Sequence, residues 1–221
     1  EDGVLQPAKL LPSERELARI YGVNRLTVRR AANELVLEGL LRRKRGVGTF
    51  VADPKLIQAM NRVQGFSERV RDAGRHPSTR LIGMETLPAR AGVAQQLNIE
   101  TGVPIFRLIR LRCVDGEPVM LETAFLPQAR FDGLEAIDFS QRTLYQVLAE
   151  EFDCYPVESE ETLEPVILTE YERQLLETDA NTPGLSVRAV TCDQHGRIVE
   201  FSTAVVRGDK SRYYFRINRS T

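Results

Sequence analysis

A stretch near the amino end contains the start and stop signals of two successive helices. Ser13 and Glu16 have the spacing of a capping box, in which each side chain accepts a hydrogen bond from the other residue's backbone N–H. Gly22 can adopt the left-handed conformation that ends a helix, and Asn24 is a favoured cap for the next helix. The sequence therefore predicts two short helices joined by a tight turn, the second running to about Glu38.

The second helix is predicted to be amphipathic. Its inward face, given by apolar spacing of three or four, consists of Val28, Ala31, Ala32 and Leu35. Its outward face carries Arg25, Thr27, Arg29 and Arg30. A cationic outer face near the start of the second helix is typical of a recognition helix in the major groove of DNA. The alternative is a pair of ordinary solvent-exposed helices, since charged helix faces are common.

A basic, glycine-containing turn follows the two helices. Residues 40–43 and 49–52 are predicted as short strands, and residues 44–48, KRGVG, form the turn between them. Residues 42–45 are four consecutive basic residues. Side chains and backbone N–H groups of such a hairpin can reach phosphates or a minor groove, so the hairpin is predicted to be a wing.

The charge of the chain is divided unevenly. The whole chain has 30 Lys and Arg against 31 Asp and Glu, a net charge of −1. Residues 1–52 hold ten basic and six acidic residues, a net +4, whereas residues 53–221 hold twenty basic and twenty-five acidic residues, a net −5. A small cationic module joined to an acidic one is expected when only one part contacts a polyanion, although chance also produces such asymmetry.

Four segments of the basic module resemble the winged helix of GntR-family bacterial transcription regulators: residues 11–18, 22–31, 38–41 and 46–51. The resemblance implies that operator DNA is contacted by Arg15, Arg25, Thr27, Arg29 and Gly46. The predicted DNA-binding set is completed by Asn24, Arg30 and Arg45. The family module usually begins with a further helix before residues 3–10, and the chain begins at Glu1 without a Met. We therefore expect a trimmed start, a missing first helix and partly uncovered apolar faces.

A larger domain is expected after the winged helix of residues 1–52. Asp53-Pro54 begins a predicted linker, residues 53–62, because proline stops a strand and restricts its neighbour. In residues 63–221 strands alternate with short helices. The predicted strands are residues 80–87, 105–114, 119–126, 157–166, 186–193, 198–207 and 213–217, and the predicted helices 92–97, 143–152 and 169–176. Two of the strand pairs form hairpins, which implies an antiparallel sheet with helices on it and an α+β domain.

The larger domain contains a weak internal repeat. A displacement of 78 residues places Arg110 on Arg188 and Glu122 on Glu200. A duplicated helix–hairpin unit would give the sheet an approximate twofold axis. Chance similarity between two hairpins remains an equal alternative, because two copies are too few for a firm assignment.

From residue 65 onward the chain resembles the UTRA domain of HutC-type GntR regulators, which has a chorismate-lyase-like fold with a mixed, mainly antiparallel sheet. The resemblance rests on residues 110–112, 115–118, 121–122, 143–145, 200 and 207–209. By that resemblance, arginines and a Ser or Thr hold a phosphate and carboxylates select polar groups. The implied effector-binding residues are Phe66, Ser67, Arg110, Arg112, Glu122, Thr143, Tyr145 and Glu200. The chain departs from the family at Val206, often aromatic there, and at residues 210–212, an apparent insertion, so its ligand can differ.

The residues also support an anion site independently of the resemblance. Arg110 and Arg112 lie two positions apart on a predicted strand, so both guanidinium groups lie on one side of the sheet. Arginine presents forked donors that match phosphate and carboxylate. The alternative is that these arginines only pair with carboxylates of the sheet, as exposed arginines commonly do.

Enzyme motifs are missing from the sequence. Neither His76 nor His195 has the spacing of a metal ligand, and no nucleophile elbow, phosphate-binding loop or zinc-protease motif occurs. The cysteines Cys113, Cys154 and Cys192 are widely spaced, which argues against disulfides and zinc and fits a reducing cytoplasm. We expect no catalytic residue, metal or cofactor. The alternatives are a lyase-like enzyme using Arg110 and Glu122, and a metabolite-binding protein that ignores DNA.

Apolar runs do not exceed three residues, so no membrane span is expected and the protein is predicted to be cytoplasmic. The sequence predicts a ligand-responsive transcription regulator. In this hypothesis a homodimer represses transcription from double-stranded operator DNA and is released by a small anionic metabolite, which can be a phosphorylated one.

Overall fold

The computed structural model describes residues 9–44, 46–52, 55–59 and 62–216. The chain divides into two compact units, Glu1–Lys55 and Leu56–Thr221.

The smaller unit contains two helices and a hairpin, α1 (Glu14–Tyr21), α2 (Arg25–Leu37), β1 (Leu41–Lys44) and β2 (Gly48–Val51). The two strands pair in antiparallel register. The predicted capping box is present: the Glu16 amide donates to Ser13 Oγ at 3.2 Å, and the Ser13 amide donates to Glu16 Oε2 at 2.8 Å. Gly22 ends α1 with φ at 64°, and Asn24 caps α2. The predicted helix ends and wing hairpin are therefore confirmed.

The predicted inward face of α2 is only partly buried. Val28 is buried, but Ala31 and Leu35 are exposed and line an open apolar cleft together with Tyr21 and Val23. The four predicted residues all line this cleft, so they share one face of α2 as predicted, and that face is partly uncovered, as expected. Apolar spacing shows which side chains share a face of a helix, but not whether another element covers that face.

The larger unit is built on an antiparallel sheet of six strands. These are β4 (Pro77–Pro88), β5 (Pro104–Val114), β6 (Glu117–Pro127), β7 (Pro156–Ile167), β8 (Pro183–Asp193) and β9 (Ile198–Arg207). Their spatial order is β4-β5-β6-β9-β8-β7. The helices are α3 (Phe66–Asp72), α4 (Ala91–Leu97), α5 (Leu144–Phe152) and α6 (Glu170–Leu175), with two 3-10 turns, Gln128–Arg130 and Leu134–Ala136.

The hairpin between β5 and β6 forms where the sequence predicted it. Asp115 and Gly116 form its turn with φ of 49° and 84°, the conformation for which an Asp-Gly pair is favoured. The turn fixes the register in which Arg110 lies opposite Glu122. The α+β prediction for this unit is confirmed.

The strand order is symmetric, because β4-α4-β5-β6 and β7-α6-β8-β9 repeat one topology about an axis between β6 and β9. The approximate twofold symmetry that such a repeat would give is present in the order of the elements, but the residue pairs do not correspond. Arg188 lies opposite Thr203, and Glu200 lies opposite Thr191. The second hairpin has a longer turn than the first, so a constant displacement of 78 residues does not match equivalent positions on the returning strands.

Part of the predicted linker is a strand. Residues Leu56–Ala59 form β3, which pairs in parallel with β10 (Ser211–Tyr214). The final strand therefore begins at Ser211, before the predicted residue 213, and Ile217 lies outside the described residues. Helix α3 was also not predicted. The short apolar stretch that forms β3 finds its partner only near the carboxyl end, and local patterns cannot indicate such a distant pairing.

Strand β5 is covered on both faces of the sheet. Its residues Ile105 and Leu111 pack in clusters with α4 and with the segment after α6. Its residues Phe106 and Leu108 face the other way, toward a core that includes Leu148 of α5. The same side of β5 continues into Arg110 and Arg112, so the polar cavity described next adjoins the largest apolar core.

Candidate functional site

A cavity of about 370 Å³ lies on the sheet beside α3 and α5. All eight residues predicted to bind an effector line it: Phe66, Ser67, Arg110, Arg112, Glu122, Thr143, Tyr145 and Glu200. The residues come from both helices and from the central strands β5, β6 and β9. The structure thus brings the predicted set together in one place, and their role in binding stays a prediction.

Arg110 and Glu122 form a buried ion pair across β5 and β6. Arg110 Nη2 lies 2.7 Å from Glu122 Oε2, and the Arg110 side chain is 4% exposed. Burial opposes ionisation of Glu122, but the charges of Arg110 and Arg112 together hold the pKa of the carboxyl below its usual range. Glu122 is therefore ionised and offsets the charge of Arg110.

Arg112 is a buried cation that is only partly satisfied. Its Nη2 donates to Ser67 Oγ at 3.1 Å, and its guanidinium lies 4.7 Å from the centre of the Phe66 ring. Its Nε is 3.9 Å from Glu122 Oε2. Neither Nε nor Nη1 has a hydrogen-bond partner among the described residues. Burial, with the charge of Arg110, lowers the pKa of Arg112 to about 10, so the group stays protonated near neutral pH with two donor nitrogens unpaired.

Arg69 also lines the cavity, and sequence analysis missed it. Its Nε is buried and has no hydrogen-bond partner among the described residues. Arg69 lies on α3, which was not predicted. The available signal was the four-residue spacing of Phe66 and Val70, both buried, ahead of Gly74, which adopts a φ of 71° after the helix.

A second carboxylate, Glu200, lies deep in the cavity and pairs with a phenol. Tyr145 Oη donates to Glu200 Oε2 at 3.0 Å. Burial, with the nearby charge of Glu122, raises the pKa of Glu200 to about 7. Burial and Glu200 together raise the pKa of Tyr145 well above its usual value. Glu200 can therefore act as a donor or an acceptor toward a ligand near neutral pH.

The raised pKa of Glu200 predicts a pH dependence of stability. The folded chain holds a proton that the unfolded chain, with a pKa of 4.5, releases, so stability falls as pH rises from about 5 to 7. The contribution is at most on the order of 3 kcal/mol. Glu200→Gln should remove this slope in chemical unfolding measured across the pH range, while Glu160→Gln, at an exposed position on β7, should keep it. Equal slopes in both variants would contradict the assignment.

The amino end of α5 forms another part of the cavity wall. Thr143 is its N-cap residue, yet the Thr143 hydroxyl donates to Gln146 Oε1 at 2.7 Å instead of capping the helix. A helix amino end carries partial positive charge, which favours an anion beside it.

The sequence departs from the UTRA family at Val206 and at residues 210–212, and these two places differ in their distance from the cavity. Val206 is buried in a cluster with Phe66 and Met120, and it is not part of the cavity lining. Residue 210 precedes β10, and Tyr213 of that strand reaches the cavity.

The predicted DNA-binding residues lie on the surface of the smaller unit. Arg15, Thr27 and Arg30 are exposed, and Gly46 is exposed in the hairpin turn with φ at 76°. Asn24 also has a structural task, because its Oδ1 accepts the amides of Leu26 and Thr27.

Three predicted DNA-binding residues remain, Arg25, Arg29 and Arg45. Arg25 and Arg29 form ion pairs with Glu14, at 3.8 and 3.0 Å. Arg45 lies outside the described residues.

No cluster of His, Cys, Asp or Glu side chains in the described part of the chain could hold a metal ion. None of its helices is both long enough and apolar enough to cross a membrane.

Comparison with known proteins assigns both parts of the chain. Residues 72–212 match the family model of the UTRA domain, and residues 1–51 match the model described as bacterial regulatory proteins, gntR family.

The relatives extend over nearly the whole chain. The chain is 32% identical over 220 residues to the HTH-type transcriptional repressor NagR of Bacillus subtilis (strain 168), covering 99% of the chain and 90% of the relative. It is 31% identical over 207 residues to the HTH-type transcriptional regulator GgaR of Escherichia coli (strain K12), covering 94% and 82%. The crystal structure of PhnF from Mycobacterium smegmatis superposes with a TM-score of 0.75 at 28% identity, covering 98% of the chain and 95% of that structure.

These matches confirm the predicted winged helix, the UTRA-type α+β domain and a regulatory role. The chain is thus a transcription regulator rather than an enzyme, and it belongs to the gntR family of bacterial regulatory proteins, with a UTRA domain as its larger part.

Proposed function

We propose that this regulator represses transcription by binding an operator, and that a small anionic metabolite in the cavity of its UTRA domain releases it. Regulators of this family bind operator DNA, and UTRA domains bind small effectors. In the proposal residues 1–52 bind double-stranded DNA and residues 63–221 bind the effector. The names of relatives such as the repressor NagR support repression. The observation that best supports an anionic effector is the buried guanidinium of Arg112, two of whose nitrogens have no hydrogen-bond partner among the described residues.

An anion would satisfy the donors that Arg112 leaves unpaired. A buried donor without a partner costs about 1 to 3 kcal/mol, and a charge-assisted hydrogen bond removes that cost. Because Glu122 offsets Arg110, the remaining positive charge of this part of the cavity comes from Arg112, with Arg69 beside it. Ser67 and the amino end of α5 add polar groups suited to a phosphate or carboxylate.

The rest of the cavity suits a portion of the effector that bears hydroxyl groups or an ammonium group. Glu200 and Tyr145 offer a carboxyl and a phenol, and Glu122 has a second oxygen. A volume of about 370 Å³ lies near the lower end of ligand pockets, which favours a metabolite of modest size.

On the DNA side, Arg25 and Arg29 would read base edges from α2 while Arg15 and the wing hold phosphates. A homodimer would place two recognition helices about 34 to 36 Å apart on one face of DNA, matching a near-palindromic operator. The effector would favour a dimer with a different spacing of these helices. Allosteric coupling between two sites is typically about 1 to 3 kcal/mol, which is enough to release DNA.

Arg25→Ala should weaken operator binding by about 1 to 3 kcal/mol and relax the base preference at one position of each half-site. The matched control is Arg80→Ala, which removes an exposed arginine of the larger unit. Binding would be measured by fluorescence anisotropy on the operator and on single-base variants of it. An Arg25→Ala protein with the parent's affinity and base preference would refute the role of Arg25.

The effector can be identified by thermal shift. The panel would contain inorganic phosphate, phosphorylated sugars, phosphonates, amino acids and aromatic acids. A ligand at about 100 times its dissociation constant adds about 2.7 kcal/mol of stability. The proposal requires that a stabilising compound also lowers the affinity for operator DNA. A stabilising anion that leaves DNA binding unchanged would contradict it.

A further inference from the structure

One carboxylate, Glu14, lies among three arginines of the smaller unit. Arg29 donates through Nε to Glu14 Oε2 at 3.1 Å, and its Nη2 is 3.0 Å from the same oxygen. Arg43 Nη2 lies 3.3 Å from Glu14 Oε1, and Arg25 Nη2 lies 3.8 Å from Oε2. Glu14 begins α1, Arg25 and Arg29 belong to α2, and Arg43 belongs to β1. A single side chain therefore joins three of the four elements of this winged helix, α1, α2 and β1.

The cluster places a negative charge within a surface otherwise suited to a polyanion. The Glu14 side chain is 25% exposed, whereas its three partners are 42 to 61% exposed. The hydrogen bond from Arg29, with the charges of all three arginines, lowers the pKa of Glu14, so the carboxylate is ionised at neutral pH. Three positive charges are thus reduced to a net two. Because DNA binding depends strongly on the number of neutralised phosphates, this carboxylate opposes unspecific attraction.

We infer that Glu14 is a positioning residue that sets how well this regulator distinguishes its operator from other DNA. The inference rests on the proposed function, in which Arg25 and Arg29 contact base edges. Held by Glu14, the two guanidinium groups keep a fixed orientation, so less freedom is lost when they bind the correct bases. The offset charge lowers affinity for every duplex equally. Together these effects lower the share of the binding free energy that comes from phosphate contacts and raise the share that comes from base contacts.

The test uses the full chain and two duplexes of equal length. One is selected by the parent protein from a random-sequence library, and the other is a scrambled version. Affinity for both is measured over a salt series for the parent, Glu14→Gln and Glu14→Asp. The charge-matched control is Glu34→Gln, which removes an exposed carboxylate further along α2.

Glu14→Gln should bind the scrambled duplex more tightly than the parent, with a salt slope steeper by about 1. Its preference for the selected duplex should fall about tenfold, the scale of one well-oriented base contact. Glu14→Asp keeps the charge but shortens the side chain, so its preference should fall without a gain on the scrambled duplex. Glu34→Gln should keep the parent's preference.

A Glu14→Gln protein whose preference equals that of Glu34→Gln would overturn the inference. Loss of binding to both duplexes would overturn it as well, because Glu14 would then be needed for folding of the winged helix. If the parent itself shows no preference for any selected duplex, the proposed function fails first. The two failures are therefore distinguishable.

Discussion

Glu122→Ala should destabilise the UTRA domain by about 3 to 5 kcal/mol, as expected when one partner of a buried ion pair is removed. The change leaves Arg110 and Arg112, both about 3% exposed, without the carboxylate that offsets them. Two like charges then remain in a region shielded from water. An alanine also leaves space beside them, but the missing charge is the dominant effect, because a buried unpaired cation is far more costly than a small void.

Urea unfolding followed by circular dichroism would measure this loss. The control is Glu85→Ala, which breaks the ion pair between Glu85 and Arg107 on the neighbouring strands. Both partners of that pair are more than a third exposed, so a loss of about 0 to 1 kcal/mol is expected. Glu122→Gln separates charge from shape, since the amide fills the same volume. Similar losses for Glu85→Ala and Glu122→Ala would show that the buried pair is not the stabilising feature proposed for this cavity.

Arg112→Met should weaken effector binding by about 2 to 5 kcal/mol, which is a loss of about 30-fold to several thousand-fold. Stability without effector should equal or exceed that of the parent, because methionine fills the space and removes two unpaired buried donors. Affinity for operator DNA without effector should not change. This combination of an intact protein, intact DNA binding and lost release is the signature of a ligand-contacting residue.

The measurement is calorimetric titration with the compound found by thermal shift, together with operator release by the same compound. Arg107→Met is the matched control, since Arg107 lies on β5 as Arg112 does but pairs with Glu85 outside the cavity. Unchanged affinity in Arg112→Met would rule out a role of Arg112 in binding the anion. Loss of affinity in both variants would indicate an effect of strand β5 as a whole rather than of the guanidinium.

The sequence predicted best the features whose signals lie close together in the chain. The ends of α1 and α2 follow from Ser13, Gly22 and Asn24, and the first hairpin of the sheet follows from an Asp-Gly pair. Strand β3 and helix α3 were missed. The strand that pairs with β3 lies near the other end of the chain. Helix α3 has only seven residues and closely follows the segment predicted to be a linker.

For the cavity, the sequence predicted that Arg110 and Arg112 lie on one side of a strand. It could not predict which of the two arginines pairs with a carboxylate and which keeps unpaired donors. In the structure Arg110 lies opposite Glu122 and pairs with it, while Arg112 is left with unpaired donors. That division depends on the register set by the hairpin turn and on a bulge after Arg112. The cluster around Glu14 could not be predicted either, because its members come from three elements.

The symmetric strand order has a mechanical consequence. The two repeats of the larger unit meet along the β6–β9 ladder, which pairs only residues 120–125 with residues 201–206. The ladders on either side of it extend along almost the full length of their strands. Glu122 lies on one side of this seam and Glu200 on the other, both in the cavity wall. A molecule held by both carboxyls would therefore bridge the shortest ladder of the sheet and stiffen one half against the other.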